Sequence, residues 1–126
     1  MAKRPRKLNK YRSGFEERTA KFMRELGIKF DYESITIKFK VPETTHRYKP
    51  DFVLKNGNII ECKGKLDSAA RKKMALVKEQ HPELPIKILF MRDQPIAKGS
   101  ETMYSDWAKK LGYDFAFKEI PTEWLK

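Results

Sequence analysis

Tyr48-Lys49-Pro50-Asp51-Phe52-Val53-Leu54-Lys55-Asn56-Gly57-Asn58-Ile59-Ile60-Glu61-Cys62-Lys63-Gly64 is the stretch whose reading decides the fold. Its centre, Asn56-Gly57, lies between two apolar runs. An Asn-Gly pair there is a strong hairpin signal, because both residues tolerate the positive φ that the favoured two-residue turns require. The chain is therefore expected to double back, bringing Asp51 and Glu61 onto adjacent antiparallel strands. Side chains alternate along a strand, so Glu61 and Lys63 share one face and Cys62 takes the other. Two carboxylates and one ammonium then converge.

Such a group suits phosphodiester hydrolysis. Hard divalent cations such as magnesium take oxygen ligands, and Asp51 and Glu61 supply them. A bound ion neutralises charge developing on a phosphate and lowers the pKa of its water. Lys63 would orient the nucleophile or stabilise the charged transition state. The backbone carbonyl of Cys62, between the two functional side chains, is a further candidate ligand. Taken alone, Pro-Asp, nine residues, then Glu-x-Lys is a weak signal and more often describes an ordinary surface salt bridge. The intervening turn, the positive charge of the chain and a basic helix just beyond favour the metal site. So does Ile59-Ile60, which sets Glu61 in an apolar strand where a merely solvated charge is less expected.

Working outward toward the N-terminus, Ser13 with Glu16 three residues later reads as a capping box opening a helix. Phe15, Phe22, Met23 and Leu26 share one face of it, and Gly27 ends it. Glu16 has two readings, a helix cap or a third carboxylate for a second metal or a metal-bound water. Ile35, Ile37, Phe39 and Val41 alternate with polar residues as one long strand, which Pro42 interrupts. Glu43-Thr44-Thr45 then leads to a second strand near Arg47 to Leu54, and Asn58 to Lys63 forms the third.

Toward the C-terminus, a loop over Gly64 to Asp67 enters a helix over Ser68 to Gln80, made basic by Arg71, Lys72 and Lys73 and ended by His81-Pro82. Ile86 to Phe90 is a short buried strand. A strand, helix, strand order predicts a right-handed crossover and a parallel pairing. Met91 to Ser100 is a loop. Met103, Tyr104, Trp107 and Leu111 mark a third helix, and Phe115 and Phe117 a last strand. Pro121 to Lys126 closes the chain with Trp124 available to pack. The expected class is α/β (α+β), a mixed sheet flanked by helices.

The 126 residues suggest one domain. A net charge of +11 and a pI near 9.8 call for a polyanionic partner. Nothing approaches the run of roughly 20 apolar residues that a membrane helix needs. The basic N-terminus has no apolar segment of a secretory signal, which leaves nucleic acid rather than a membrane. Lys3, Arg4, Arg6, Lys7, Lys10 and Arg12 put +6 of that charge in residues 1–12, with no acid. We read these residues as a basic flexible arm that contacts phosphates, ahead of a nuclease domain over 13–126. Lys65, Arg71, Lys72 and Lys98 extend the expected DNA-binding surface. Cys62, the single cysteine, cannot form an internal disulfide and fits a reducing cytoplasm. It reads as a core residue rather than a nucleophile, with neither His46 nor His81 near it in sequence. Both histidines, Trp107 and Trp124 read as surface or packing residues.

These segments resemble the podophage endonuclease I family of Holliday-junction resolvases. The matching stretches are Arg12-Ser13-Gly14-Phe15-Glu16, Tyr48-Lys49-Pro50-Asp51-Phe52, Asn56-Gly57 and Glu61-Cys62-Lys63-Gly64. Arg71-Lys72-Lys73, Glu79 to Leu84, Lys98-Gly99-Ser100 and Pro121-Thr122-Glu123-Trp124 follow in the same order. The resemblance implies a restriction-endonuclease-like core and magnesium- or manganese-dependent cleavage of branched DNA. It implies Glu16, Asp51, Glu61 and Lys63 as the catalytic set, and a domain-swapped homodimer with residues 41–45 as the bridge. Each site would then take Glu16 from one chain and the other three residues from its partner. It also implies a phage protein working in the host cytoplasm. The family can carry a basic C-terminal extension, whereas this sequence ends at Lys126; either some duplex-arm affinity is lost or the N-terminal arm supplies it. Two other functions fit the same residues: a nuclease of this core without junction preference, and an architectural DNA binder without activity.

Overall fold

The computed structural model describes residues 11–41 and 43–126. The expected contacts Lys3, Arg4, Arg6, Lys7 and Lys10, and the strand-breaking Pro42, lie outside the described residues.

Helix α1 covers Gly14–Glu25, with Ser13 as its cap. Strands β1 (Phe30–Tyr32), β2 (Ile37–Val41), β3 (Thr44–Tyr48), β4 (Phe52–Leu54) and β5 (Ile59–Lys63) follow. Helix α2 (Ser68–Gln80), strand β6 (Ile86–Phe90), helix α3 (Tyr104–Leu111) and strand β7 (Asp114–Phe117) complete the main elements, and a short 3-10 turn spans Thr122–Leu125. The main sheet has the order β1-β4-β5-β6-β7, and β2 and β3 make a separate two-stranded sheet. Strands β1, β4 and β5 pair antiparallel, while β5, β6 and β7 pair parallel. The mixed sheet and the parallel pairing across α2 were both expected.

Three expectations need correction. The single strand near Arg47 to Leu54 is two strands in different sheets, broken at Lys49-Pro50-Asp51. Proline has no N–H to give a ladder, so the break falls where pairing would have failed. Thr44 and Thr45 are not a connector but the first residues of β3, with Val41 opposite Thr44. Strand β1 was missed altogether, because three residues are too few to show a period.

Two apolar clusters cover the two faces of the main sheet. Ile59, Ile88 and Phe90 join Met74 and Val77 of α2, Tyr104 and Ala108 of α3, and Ile37, Phe39 and Tyr48 of the β2–β3 hairpin. Phe52, Leu54, Ile60, Cys62 and Leu89 join Ala20 and Met23 of α1, with Ile120 and Trp124. A strand covered on both sides reads as a continuous buried run, and Ile59 to Cys62 are all buried. At the Asn56-Gly57 turn Gly57 has φ +97, and the Asn56 amide donates to the Trp124 and Lys126 carbonyls, tying the C-terminal turn to the hairpin.

Candidate active site

Asp51 stands at the break just before β4, and Glu61 in the middle of β5. Phe52 pairs with Ile60, which sets Asp51 beside Glu61 and Cys62. The Cys62 backbone N–H donates to Asp51 Oδ2 at 2.9 Å, fixing that carboxylate against β5. The Tyr48 hydroxyl donates to Glu61 Oε1 at 2.7 Å. Lys63 Nζ lies 3.4 Å from Glu61 Oε2. Alternation along β5 thus puts Glu61 and Lys63 together, as expected, and turns Cys62 toward α1. There its thiol meets Thr19 Oγ1 at 3.8 Å, and burial holds its pKa well above the ordinary range. The side chain is a core residue, not a nucleophile.

Both acids are almost fully enclosed, Asp51 at 7% and Glu61 at 5% exposure. Burial first, then the Glu61 charge, push Asp51 up to about 9, against the pull of the Cys62 donor. Burial also raises Glu61, opposed by Lys63, Tyr48 and Lys73. Buried like charges are costly unless positive charge compensates them. The donor set is hard oxygen, which fits a divalent cation such as magnesium or manganese.

Glu16, at 8% exposure, is brought to the same place from the first turn of α1. Ser13 Oγ accepts the Glu16 N–H at 3.0 Å, as in the expected capping box. The reciprocal bond differs: Glu16 Oε1 accepts from the Arg12 N–H at 3.1 Å and from the Tyr32 hydroxyl. The same carboxyl is hydrogen-bonded to Asp51. Only the Ser13 half of the capping box forms; of the two readings set out for Glu16, its carboxyl takes the place in the acid cluster.

Glu33 was not foreseen. It follows β1 with φ +49, and its N–H donates to the Asp51 carbonyl at 3.0 Å. Ligand atoms of Glu16, Glu33 and Asp51 lie within 4.8 Å of one another, a spacing that could hold a metal. Glu61 is outside that trio and is linked to it through its charge on Asp51. Nothing in the local sequence marks Glu33, because its position follows from β1 pairing with β4.

The expected DNA contacts divide. Lys65 and Lys98 line one groove of about 660 Å³ that begins at Gly64, directly after Lys63, and Arg92 adds an unforeseen cation to it. Lys72 is exposed on α2. Arg12 is exposed and lies 3.6 Å from Glu33 Oε2. Arg71 is tied into the fold. Its guanidinium donates to the Leu66 and Ile96 carbonyls at 2.9 and 2.8 Å, joining α2 to the loop after β6. His46 lies exposed against Phe39, and His81 caps α2 and meets the Lys38 carbonyl. Trp107 stacks on Tyr113, and Trp124 is buried.

Fold and site together define a mixed α/β protein in which one sheet gathers buried carboxylates and a lysine at a place suited to a divalent cation. The profile of the phage endonuclease I family matches residues 1–126, and the chain belongs to that family. It is 44% identical over 126 residues to Endonuclease I of Escherichia phage T7, covering 99% of this chain and 85% of that protein. It is 47% identical over 117 residues to Endodeoxyribonuclease 1 of Enterobacteria phage T3, covering 92% of this chain and 77% of that one.

Proposed function

We propose that this chain is a metal-dependent DNA endonuclease that resolves four-way junctions and other branched DNA by phosphodiester hydrolysis. The observation that carries the reading is the convergence of buried Asp51, Glu61 and Glu16 with Lys63 in a chain of the endonuclease I family. Asp51 and Glu61 would hold magnesium or manganese with the Cys62 carbonyl, and Glu16 a second ion or a water; Glu33 is placed to assist. A bound ion would supply charge neutralisation at the phosphate and an acidified water. Asp51 is steadied by the Cys62 N–H, and Glu61 by Tyr48. Lys63, beside Glu61, would orient the nucleophile or meet charge building on the phosphate.

Lys65, Arg92 and Lys98 put positive charge along the groove that begins at Gly64, and Lys72 and Arg12 are further exposed cations. Nothing in the sequence resembles a base-reading helix, so selectivity would rest on the angle between duplex arms. The core is restriction-endonuclease-like, and the working form is a homodimer swapped through residues 41–45, in which Glu16 of one chain would meet Asp51, Glu61 and Lys63 of the other, whereas the single chain closes the same cluster on itself. Val41 pairs with Thr44, so the connection between β2 and β3 is short, and Glu43 in it carries φ +72 without being glycine. Short strained hinges favour opening into a swap. The setting is phage DNA processing in the host cytoplasm.

Two experiments test this. Comparing a junction with a linear duplex of equal length in magnesium should give much faster cleavage of the junction; equal rates would sink the resolvase reading. Glu61→Ala and Lys63→Ala should keep junction binding and lose cleavage, whereas no cleavage by the parent chain with any divalent metal would point to a DNA binder without activity. The swap is tested separately by a heterodimer of a Glu16→Ala chain with an Asp51→Ala chain. A swapped dimer retains one intact site and nicks one strand; an unswapped one has two damaged sites and is inactive.

A further inference from the structure

We propose that Tyr48 is a positioning residue for Glu61 and that Lys73 braces it from α2. The inference rests on the nuclease reading above. Tyr48 is 1% exposed and belongs to the buried cluster that also holds Ile37, Phe39, Ile59 and Met74. A buried tyrosine hydroxyl usually finds some partner, so a hydrogen bond alone says little. The choice of partner says more. Two other buried tyrosines on this side are satisfied by backbone: Tyr113 donates to the Met74 carbonyl at 2.6 Å, and Tyr104 accepts the Leu66 N–H at 3.0 Å. Tyr48 instead donates to Glu61 Oε1 at 2.7 Å.

That bond fixes the rotation of the carboxylate. With Oε1 held by Tyr48, Oε2 is the oxygen turned to Lys63, at 3.4 Å. Lys73 Nζ lies 5.4 Å over the Tyr48 ring, and its charge is felt at Glu61. The ring is therefore clamped between the sheet and a cation, and Glu61 has a second ammonium nearby besides Lys63. Strand β3 and helix α2 supply these groups on the face of β5 that Glu61 and Lys63 share. Partners of this kind behind a metal ligand are typically worth about 10- to 100-fold in metal affinity or activity.

The test is Tyr48→Phe, which keeps the ring and removes the hydroxyl. Calorimetric titration with manganese should show affinity about 10- to 100-fold weaker. The single-turnover rate should fall by a similar factor, while junction affinity in chelator stays within about two-fold. Lys73→Met should weaken manganese binding by about two- to five-fold, as suits a half-exposed charge, and Lys73→Arg should restore it. If Tyr48→Phe fails to fold, the half-exposed Lys73 pair still decides. Manganese affinities of both variants within two-fold of the parent would overturn the proposal. So would a Tyr48→Phe protein with a lowered thermal midpoint and unchanged metal affinity. Because manganese binding is read directly, a parent chain that binds metal but does not cleave DNA would remove the nuclease reading and leave Tyr48 still judged.

Discussion

Without metal, a carboxyl held at about 9 keeps its proton at neutral pH, and Asp51 is such a group. Its ordinary value is 3.8, so between 3.8 and about 9 the folded chain binds more protons than the unfolded one. Stability then falls as pH rises through that window, and the raised Glu61 acts in the same direction. The thermal midpoint in chelator should drop between about pH 5 and about pH 8, and magnesium should flatten the decline by favouring the ionised carboxylates. A midpoint that climbs with pH in chelator would contradict the burial argument. Glu33→Gln should weaken manganese binding by about ten-fold and leave junction binding in chelator intact; an unchanged affinity would remove Glu33 from the metal's surroundings. Asp51, Glu61 and Lys63 were legible in the sequence because one turn and one alternation place all three. Glu33 was not, because a three-residue strand and a positive φ deliver it to Asp51. Nor was Tyr48 legible as a partner of Glu61, since nothing local distinguishes it from a core tyrosine.

Among the elements, the turn between β2 and β3 carries the clearest local conflict. Glu43 sits at φ +72, where a side chain strains the backbone and glycine does not. Glu43→Gly should stabilise the folded-back hairpin by about 1 kcal/mol, read as a higher denaturation midpoint. In a swapped dimer the same change should shift size-exclusion profiles toward monomer, because the closed turn no longer stores strain. A lower midpoint would show that the added backbone freedom outweighs the relief. Helix α2 and strand β6 lie at the expected residues, since Asp67, His81-Pro82 and the apolar run Ile86 to Phe90 punctuate the chain plainly. Arg47 to Leu54 was misread as one strand although Pro50 carried the signal for a break. Which sheet each half joins depends on contacts far along the chain, and no local pattern encodes that.

For the whole molecule, charge sets the terms of DNA binding. With a net +11, junction affinity should fall linearly on a log–log plot against salt. Lys65→Ala and Lys98→Ala should each reduce that slope by about one if each meets a phosphate. Arg71→Ala should behave differently. It removes the tie between α2 and the loop after β6, so it should lower the thermal midpoint more than it lowers the salt slope.

The two-sided burial of β5 has one more consequence. The Cys62 thiol faces α1, touches Thr19 and is protected both by coverage and by its raised pKa. Lifting α1 from the sheet would open it to a thiol reagent, and that same movement would carry Glu16 away from Asp51. Cys62 is therefore a built-in clock for the docking of that helix. Its labelling rate, set against the turnover rate with and without magnesium, reports how often the acid cluster comes apart and whether the metal is what keeps it closed.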